Sequence, residues 1–363
     1  MNPYLENLSL VDHHCHGLVR TDLDRVGFEE LLTEADTVSP LGTSLFDSMI
    51  GLAVRRWCAP ILDLPALASA DDYLARRSEL GATEVNRRFL AASGTSDFLV
   101  DGGFRAEMLT GIGELAALAG KATHEIIRLE TLAEDVVRKG TNAADFATDC
   151  ADALAARATD AVGCKSIAAY RVGLRLSGAR PTDTEVRAAA GRWLSTISPP
   201  GRIRLADEVL HRFLIWQAID AGLPVQFHVG LGDADLDMAE CDPLLLTDLL
   251  RATRGNGVPL LLLHNYPFHR QAAYLAQVFP HVFVDIGLAT HNAGRRGGAL
   301  LAELLEIAPF GKVLYSSDAF GLAEHYFLGS LLFRRGLSEF LDDGIAEDSW
   351  TISDAEHISD LIG

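Results

Sequence analysis

Val258-Pro259-Leu260-Leu261-Leu262-Leu263-His264 is a run of apolar residues closed by a histidine. Three more apolar runs share the second half of the chain with it: Leu223-Pro224-Val225-Gln226-Phe227-His228, His281-Val282-Phe283-Val284-Asp285-Ile286 and Lys312-Val313-Leu314-Tyr315-Ser316-Ser317-Asp318. Roughly 20 to 35 residues separate successive runs, room for the one crossover helix that a parallel strand needs to rejoin its sheet. Working backwards, Ala161 to Ala169, His124 to Glu130 and Asp97-Phe98-Leu99-Val100-Asp101 have the same character. Helical stretches stand between them: Ala143 to Ala158, Thr184 to Ser198 and Ala206 to Ala221, the last two split by Ser198-Pro199-Pro200-Gly201. Strands that alternate with helices imply parallel βαβ units.

The first run is Leu10-Val11-Asp12-His13-His14-Cys15-His16. Between it and Asp97 lie about 80 residues with apolar positions at helical spacing, in Phe28 to Ala35, Gly42 to Ala53 and Ala70 to Ala91. We expect a helical insertion over residues 20–95, which serves as a lid, as a homo-oligomer surface or simply as packing. Counting all runs gives eight strands, so the expected fold is α/β, a (β/α)8 TIM barrel occupying residues 1–363 as one domain and closed by a helix around Leu328 to Phe340. The competing fold is a doubly wound open sheet. No GxGxxG or GxxxxGK[ST] loop follows any run, which counts against it.

Composition limits the function. With 48% hydrophobic and 22% charged residues among 363, the chain is that of a globular protein with a large core. A net charge of −19 repels phosphate backbones and anionic membrane surfaces, so the expected partner is a small-molecule substrate, with no nucleic acid and no membrane. Cys15, Cys58, Cys150, Cys164 and Cys241 form neither a CxxC pair nor an even set, which fits a reducing cytoplasm. The N-terminus lacks a basic segment ahead of an apolar core, and no apolar run approaches the roughly 18 residues of a membrane span. Export and insertion are not expected.

The chemistry gathers at the ends of the runs. His14 and His16 are two apart on a strand and face the same way, with Asp12 on the same side and His13 and Cys15 on the other, read as packing residues. His228, His264 and Asp318 each close an apolar run that gives no reason for a polar residue. In a TIM barrel the carboxyl ends of all strands meet at one face, so these residues converge with His14 and His16. Imidazoles with one carboxylate suit Zn²⁺, and also Mn²⁺ or Fe²⁺, whereas an all-oxygen set would suit Mg²⁺ or Ca²⁺.

These elements resemble the amidohydrolase superfamily, and within it the branch of nodulin-type and glutamine synthetase-linked amidohydrolases. The resemblance rests on Val11 to His16, Cys164-Lys165-Ser166-Ile167-Ala168-Ala169-Tyr170-Arg171-Val172-Gly173-Leu174, Gln226-Phe227-His228-Val229-Gly230, His264-Asn265-Tyr266-Pro267-Phe268-His269-Arg270 and Tyr315-Ser316-Ser317-Asp318-Ala319. No glutamine synthetase domain accompanies them. The resemblance implies that His14, His16, His228 and Asp318 hold a divalent metal, most simply Zn. Asp318 then serves as proton carrier, and His264 as partner of the attacking water or the substrate. One ion is favoured, or two if Lys165 is carboxylated as the strand-four lysine of two-metal members is. Lys165 precedes Ser166 to Ala169, however, and if those residues continue the strand it lies too deep to bridge, leaving a substrate-facing or ion-paired lysine as the other reading. Arg171 and His291 are further candidates for substrate binding, with Arg270 behind Arg171. His325 reads as a helix residue, and His124, His211, His281 and His357 carry no pattern.

The expected activity is hydrolysis of a C–N amide bond in a small carboxylate-bearing substrate, such as a γ-glutamyl amide. A decarboxylase or a uronate-isomerase-like enzyme on the same barrel is the alternative among enzymes; a catalytically silent regulatory or scaffold barrel is the alternative outside them.

Overall fold

The computed structural model describes residues 3–37, 39–197, 201 and 203–363. Seven parallel strands are present among them: β1 Leu10–Cys15, β2 Thr95–Asp101, β3 Ala122–Arg128, β4 Ala161–Ser166, β5 Val225–Val229, β6 Leu260–His264 and β7 Val282–Val284. They stand in the sheet in their chain order. A doubly wound sheet reverses direction from its first strand and places later strands on both sides of it. Monotonic order is the winding of a (β/α)8 barrel, and the fold belongs to that class.

The expected eighth strand, Lys312 to Asp318, differs. It forms no regular ladder, yet it lies along β1: His13 N donates to Tyr315 O at 3.2 Å, Asp318 N to His14 O at 3.0 Å, and His16 N to Ala319 O at 2.8 Å. The left-handed backbone of Asp318, with φ of 49°, ends any extended run there. Other boundaries moved for equally local reasons. Ala70 to Ala91 is two helices, Ala70–Leu80 and Ala82–Ala92, because Gly81 takes a φ of 76° between them. The run His124 to Glu130 stops being strand at Arg128, and Leu129 and Glu130 open the helix Leu129–Arg138. The closing helix is longer than expected, Ala323–Ala346, and is followed by Ile352–Ile362, which the reading of the sequence missed. Of the expected breaker, Ser198, Pro199 and Pro200 lie outside the described residues.

The chain divides into two compact units. The first comprises Met1–His124, Leu231–Ala234 and Asp285–Gly363; the second comprises Glu125–Gly230 and Asp235–Val284.

In the first unit, the segment between β1 and β2 is mostly helical. It buries Phe28, Phe46, Val54, Tyr73, Val85 and Phe89 in one apolar cluster with Leu322, Tyr326 and Leu328 of the chain's last third. A polar pin crosses this cluster. Arg77 Nε donates to Glu324 Oε1 at 2.9 Å, and Tyr73 OH donates to the same oxygen at 2.8 Å. Burial alone would push Glu324 upward, but the Arg77 charge and these hydrogen bonds hold it below the ordinary carboxylate value.

In the second unit, β4, β5 and β6 are buried along nearly their whole length, as strands covered on both faces must be. Glycine is required at Gly230, just after β5, where a Cβ would come within 2.2 Å of the Tyr266 carbonyl oxygen.

Candidate metal centre

In the first unit, the alternation of β1 puts His14 and His16 on one side, and the bonds from 315–319 bring Asp318 against them. His14 Nε2 stands 3.2 Å from Asp318 Oδ1, and His16 Nε2 stands 3.5 Å from the same oxygen. The donor atoms of this unit that all lie within 4.8 Å of one another, among the described residues, are those of His14, His16 and Asp101. His16 Nδ1 lies 2.9 Å from the Asp101 carbonyl oxygen. A carbonyl only accepts, so Nδ1 carries a proton, and in the neutral ring this leaves Nε2 as the nitrogen that can bind an ion. Asp101 itself closes β2, is fully buried, and has an oxygen within 4.8 Å of ring nitrogens of both His14 and His16. It was not among the expected ligands. Its signal in the sequence is that of His228, His264 and Asp318, a polar residue ending an apolar strand, here before Gly102-Gly103.

Asp12 accepts from Ser317 N at 2.9 Å and Ser317 Oγ at 2.5 Å. Complete burial pushes its carboxyl up to about 7 against the pull of those hydrogen bonds and of His13. His13, read above as a packing residue, is instead bonded to buried Asp285, with Nε2 2.8 Å from Oδ2. Alternation turned it away from His14 correctly, but toward a carboxylate that the periodicity could not reveal. Cys15 does pack, within the large apolar cluster.

His291 lies in the short helix Ala289–Asn292 and is buried. Its ring stacks on that of His325, which is indeed a helix residue, with centroids 4.8 Å apart and planes 11° from parallel. Glu34 is pushed up to about 8, first by its surroundings and then by the charges of Asp318 and Asp233.

In the second unit, His228 and His264 end β5 and β6, and their rings are 4.6 Å apart. Strand register alone would separate them, since His228 pairs with Leu263 and His264 falls opposite Val229. The left-handed backbone of His264, φ 69°, breaks the alternation and turns its ring to His228. Such a conformation costs a non-glycine residue about 1–3 kcal/mol and persists only where the surroundings enforce it. Asp318 carries the same signature. The ring of Tyr170 also lies against His228, with centroids 4.5 Å apart.

Lys165 is buried and next to last in β4, in register with Gln226. The strand ends at Ser166 and a 3-10 turn Ala168–Tyr170 follows, so the run does not continue as strand to Ala169. Gln226 nevertheless precedes His228 by two residues, and Lys165 lies one layer deeper than the end of β5. Arg171 is held by Glu134, with Nη1 3.3 Å from Oε1, while Glu134 Oε1 also accepts from Leu205 N. His211, without pattern in the sequence, is 3.1 Å from buried Glu130, which also accepts from Ser166 Oγ and Ile167 N just beyond Lys165. Arg270 is exposed.

Comparison with known proteins bears on these donors. The family model for amidohydrolases matches residues 105–347. Protein fluG of Emericella nidulans is 27% identical over 95% of this chain, and the alignment covers 44% of that protein, so the chain spans a little under half of its curated relative. A solved structure from Lactobacillus casei ATCC 334, described as a candidate metal-dependent hydrolase, is 30% identical with a TM-score of 0.87, covering 99% of this chain and 94% of that one. Uronate isomerase from Thermotoga maritima, 14% identical with a TM-score of 0.66 over 99% of this chain and 94% of its own, shares the fold. No helix among the described residues is long and apolar enough to cross a membrane.

Proposed function

The chain belongs to the amidohydrolase family of metal-dependent enzymes, and from that premise we propose that it hydrolyses the C–N bond of a small amide bearing a carboxylate, a γ-glutamyl amide being the first candidate. One observation carries the proposal: His14 Nε2 and His16 Nε2 stand 3.2 and 3.5 Å from Asp318 Oδ1, with His16 Nδ1 turned to the Asp101 carbonyl. His14, His16 and Asp318 would hold one divalent ion, and His228 is kept as the further ligand that the family resemblance implies. Two imidazoles fixed beside a carboxylate fit Zn²⁺, Mn²⁺ or Fe²⁺, with Zn²⁺ first. The depth of Lys165 in β4 supports one ion rather than a lysine-bridged pair.

The ion would supply Lewis acidity and bring water within reach of deprotonation near neutral pH. Asp318, buried and held in a left-handed backbone, would take the proton from the attacking water and return it to the departing amine. His264 donates to the oxyanion that develops on the carbonyl. Lys165, Arg171 and His291 contribute to substrate binding; for Arg171 this requires sharing its guanidinium with Glu134. The enzyme acts in the cytoplasm on a small molecule.

The test is a screen of the metal-loaded protein against γ-glutamyl amides, N-acyl amino acids and aromatic carboxylates. Amine release from either of the first two classes is expected; a blank across both overturns the hydrolase reading, and CO₂ from the third points to a decarboxylase. With a substrate in hand, Asp318→Asn lowers kcat by about 10²–10⁴-fold, the range of a lost general acid–base group. Full turnover in that variant with metal bound contradicts the role given to Asp318.

A further inference from the structure

His325 was set aside in the sequence as a helix residue, and the mechanism above does not use it. It is 2% exposed, and neither of its ring nitrogens has a hydrogen-bond partner of accepted geometry among the described residues, although the ring lies near the Phe320 backbone. His291, 1% exposed, stacks on it, and His291 Nδ1 is likewise without a partner. Buried polar atoms in native proteins are paired as a rule, and exceptions cluster where a ligand or an ordered water completes the site. Here three such atoms belong to two rings in contact.

The position of the pair is informative. A chain of ring contacts leads to it from the candidate metal centre: His16 to Phe104 at 5.1 Å, Phe104 to Phe320 at 5.6 Å, and Phe320 to His325 at 6.0 Å. Phe104 and Phe320 are only partly buried. They form an apolar wall that begins at a proposed metal ligand and ends at unpartnered polar atoms. A small substrate lying along that wall has its reacting carbonyl at one end and needs a polar group at the other.

We propose that His291 and His325 together bind the carboxylate of the substrate remote from the scissile bond, their parallel rings offering an N–H to each of its oxygens. The proposal rests on the hydrolase reading above and specifies the substrate group that reading leaves unplaced. Both imidazoles are held well to the neutral side by burial, which outweighs the charge of Asp318. Neutral rings keep one donor each, and they hold no standing charge that would bind the Asp318 carboxylate instead. An apolar wall with two donors at its end favours a dicarboxylate skeleton over a monocarboxylate of equal length.

The probes are glutarate and butyrate, added to the metal-loaded protein and followed by calorimetry and by imidazole NMR. Wild type is expected to bind glutarate at least tenfold more tightly than butyrate, and glutarate is expected to move the imidazole signals of both His291 and His325. His325→Phe and His291→Phe keep a stacked ring but lose the nitrogens; each should lose the preference for glutarate while metal content stays unchanged. Equal affinity for the two acids in wild type, or unmoved imidazole signals, overturns the proposal without any variant. A preference retained in both variants overturns it as well. If glutarate preference holds while no amide is hydrolysed, the hydrolase reading fails and the carboxylate site stands.

Discussion

Asp12 shows how a single carboxylate can tie a site together and leave a trace in solution. Fully buried, it accepts two hydrogen bonds from Ser317, one residue before Asp318. Burial raises it to about 7 from an ordinary value of 3.8, so between those pH values the folded chain holds a proton that the unfolded chain has released. Stability therefore falls as pH rises through that window, by an amount bounded near ~4 kcal/mol for a shift of this size. A bound cation would hold Asp12 charged and mask the effect, so the prediction concerns the metal-stripped protein. Asp12→Asn should flatten the slope of denaturant stability against pH between about 4 and 7 relative to wild type. Equal slopes would show that Asp12 is already ionised in the fold. This residue lay on the expected side of β1, but its partner did not declare itself, because nothing in Ser316-Ser317 marks one serine over the other. Asp101 was visible as a polar residue closing an apolar run, but that it meets His14 and His16 follows from the pairing of β2 with β1, a neighbour relation that no local pattern encodes. His325 was hidden by its helix, where a histidine looks like any polar residue.

At the scale of elements, the helical segment between β1 and β2 depends on the ion pair that joins helix Ala70–Leu80 to helix Ala323–Ala346. Removing one partner of a buried pair strands the other charge, at a cost of about 3–5 kcal/mol. Arg77→Ala should therefore lower unfolding stability by that amount, and the added Glu324→Gln should recover part of it by removing the stranded charge. Denaturant midpoints of the two variants decide this; no recovery would mean that Arg77 acts through packing on Phe28 rather than through its charge. The helices were legible from three- and four-residue spacing, and Ser69, Thr182 and Asp207 cap them as short polar side chains should. The eighth strand was over-read. Its apolar residues are those of a strand, but the left-handed turn at Asp318 and the bonds of 315–319 to β1 override the pattern. The same backbone device at His264 shows why periodicity found the histidine and could not say which way it faces.

For the whole molecule, the winding was legible because apolar runs at crossover spacing leave few topologies open, and the observed strand order is the one they imply. The grouping of polar residues at strand ends was legible in part, since polar residues ending buried strands need a reason to be there. Within the first unit, His14, His16 and Asp318 meet as expected; within the second, His228 and His264 meet. Substrate identity was not legible, because a fold does not fix the particular side chains that line its site. The central proposal is that one divalent ion is held at His14, His16 and Asp318, and elemental analysis of the gently purified protein tests it most directly. The account predicts about one equivalent of Zn, Mn or Fe per chain, falling at least tenfold in affinity in His14→Ala and in His16→Ala alike. Two tightly held equivalents, or wild-type metal affinity in His14→Ala, would contradict it.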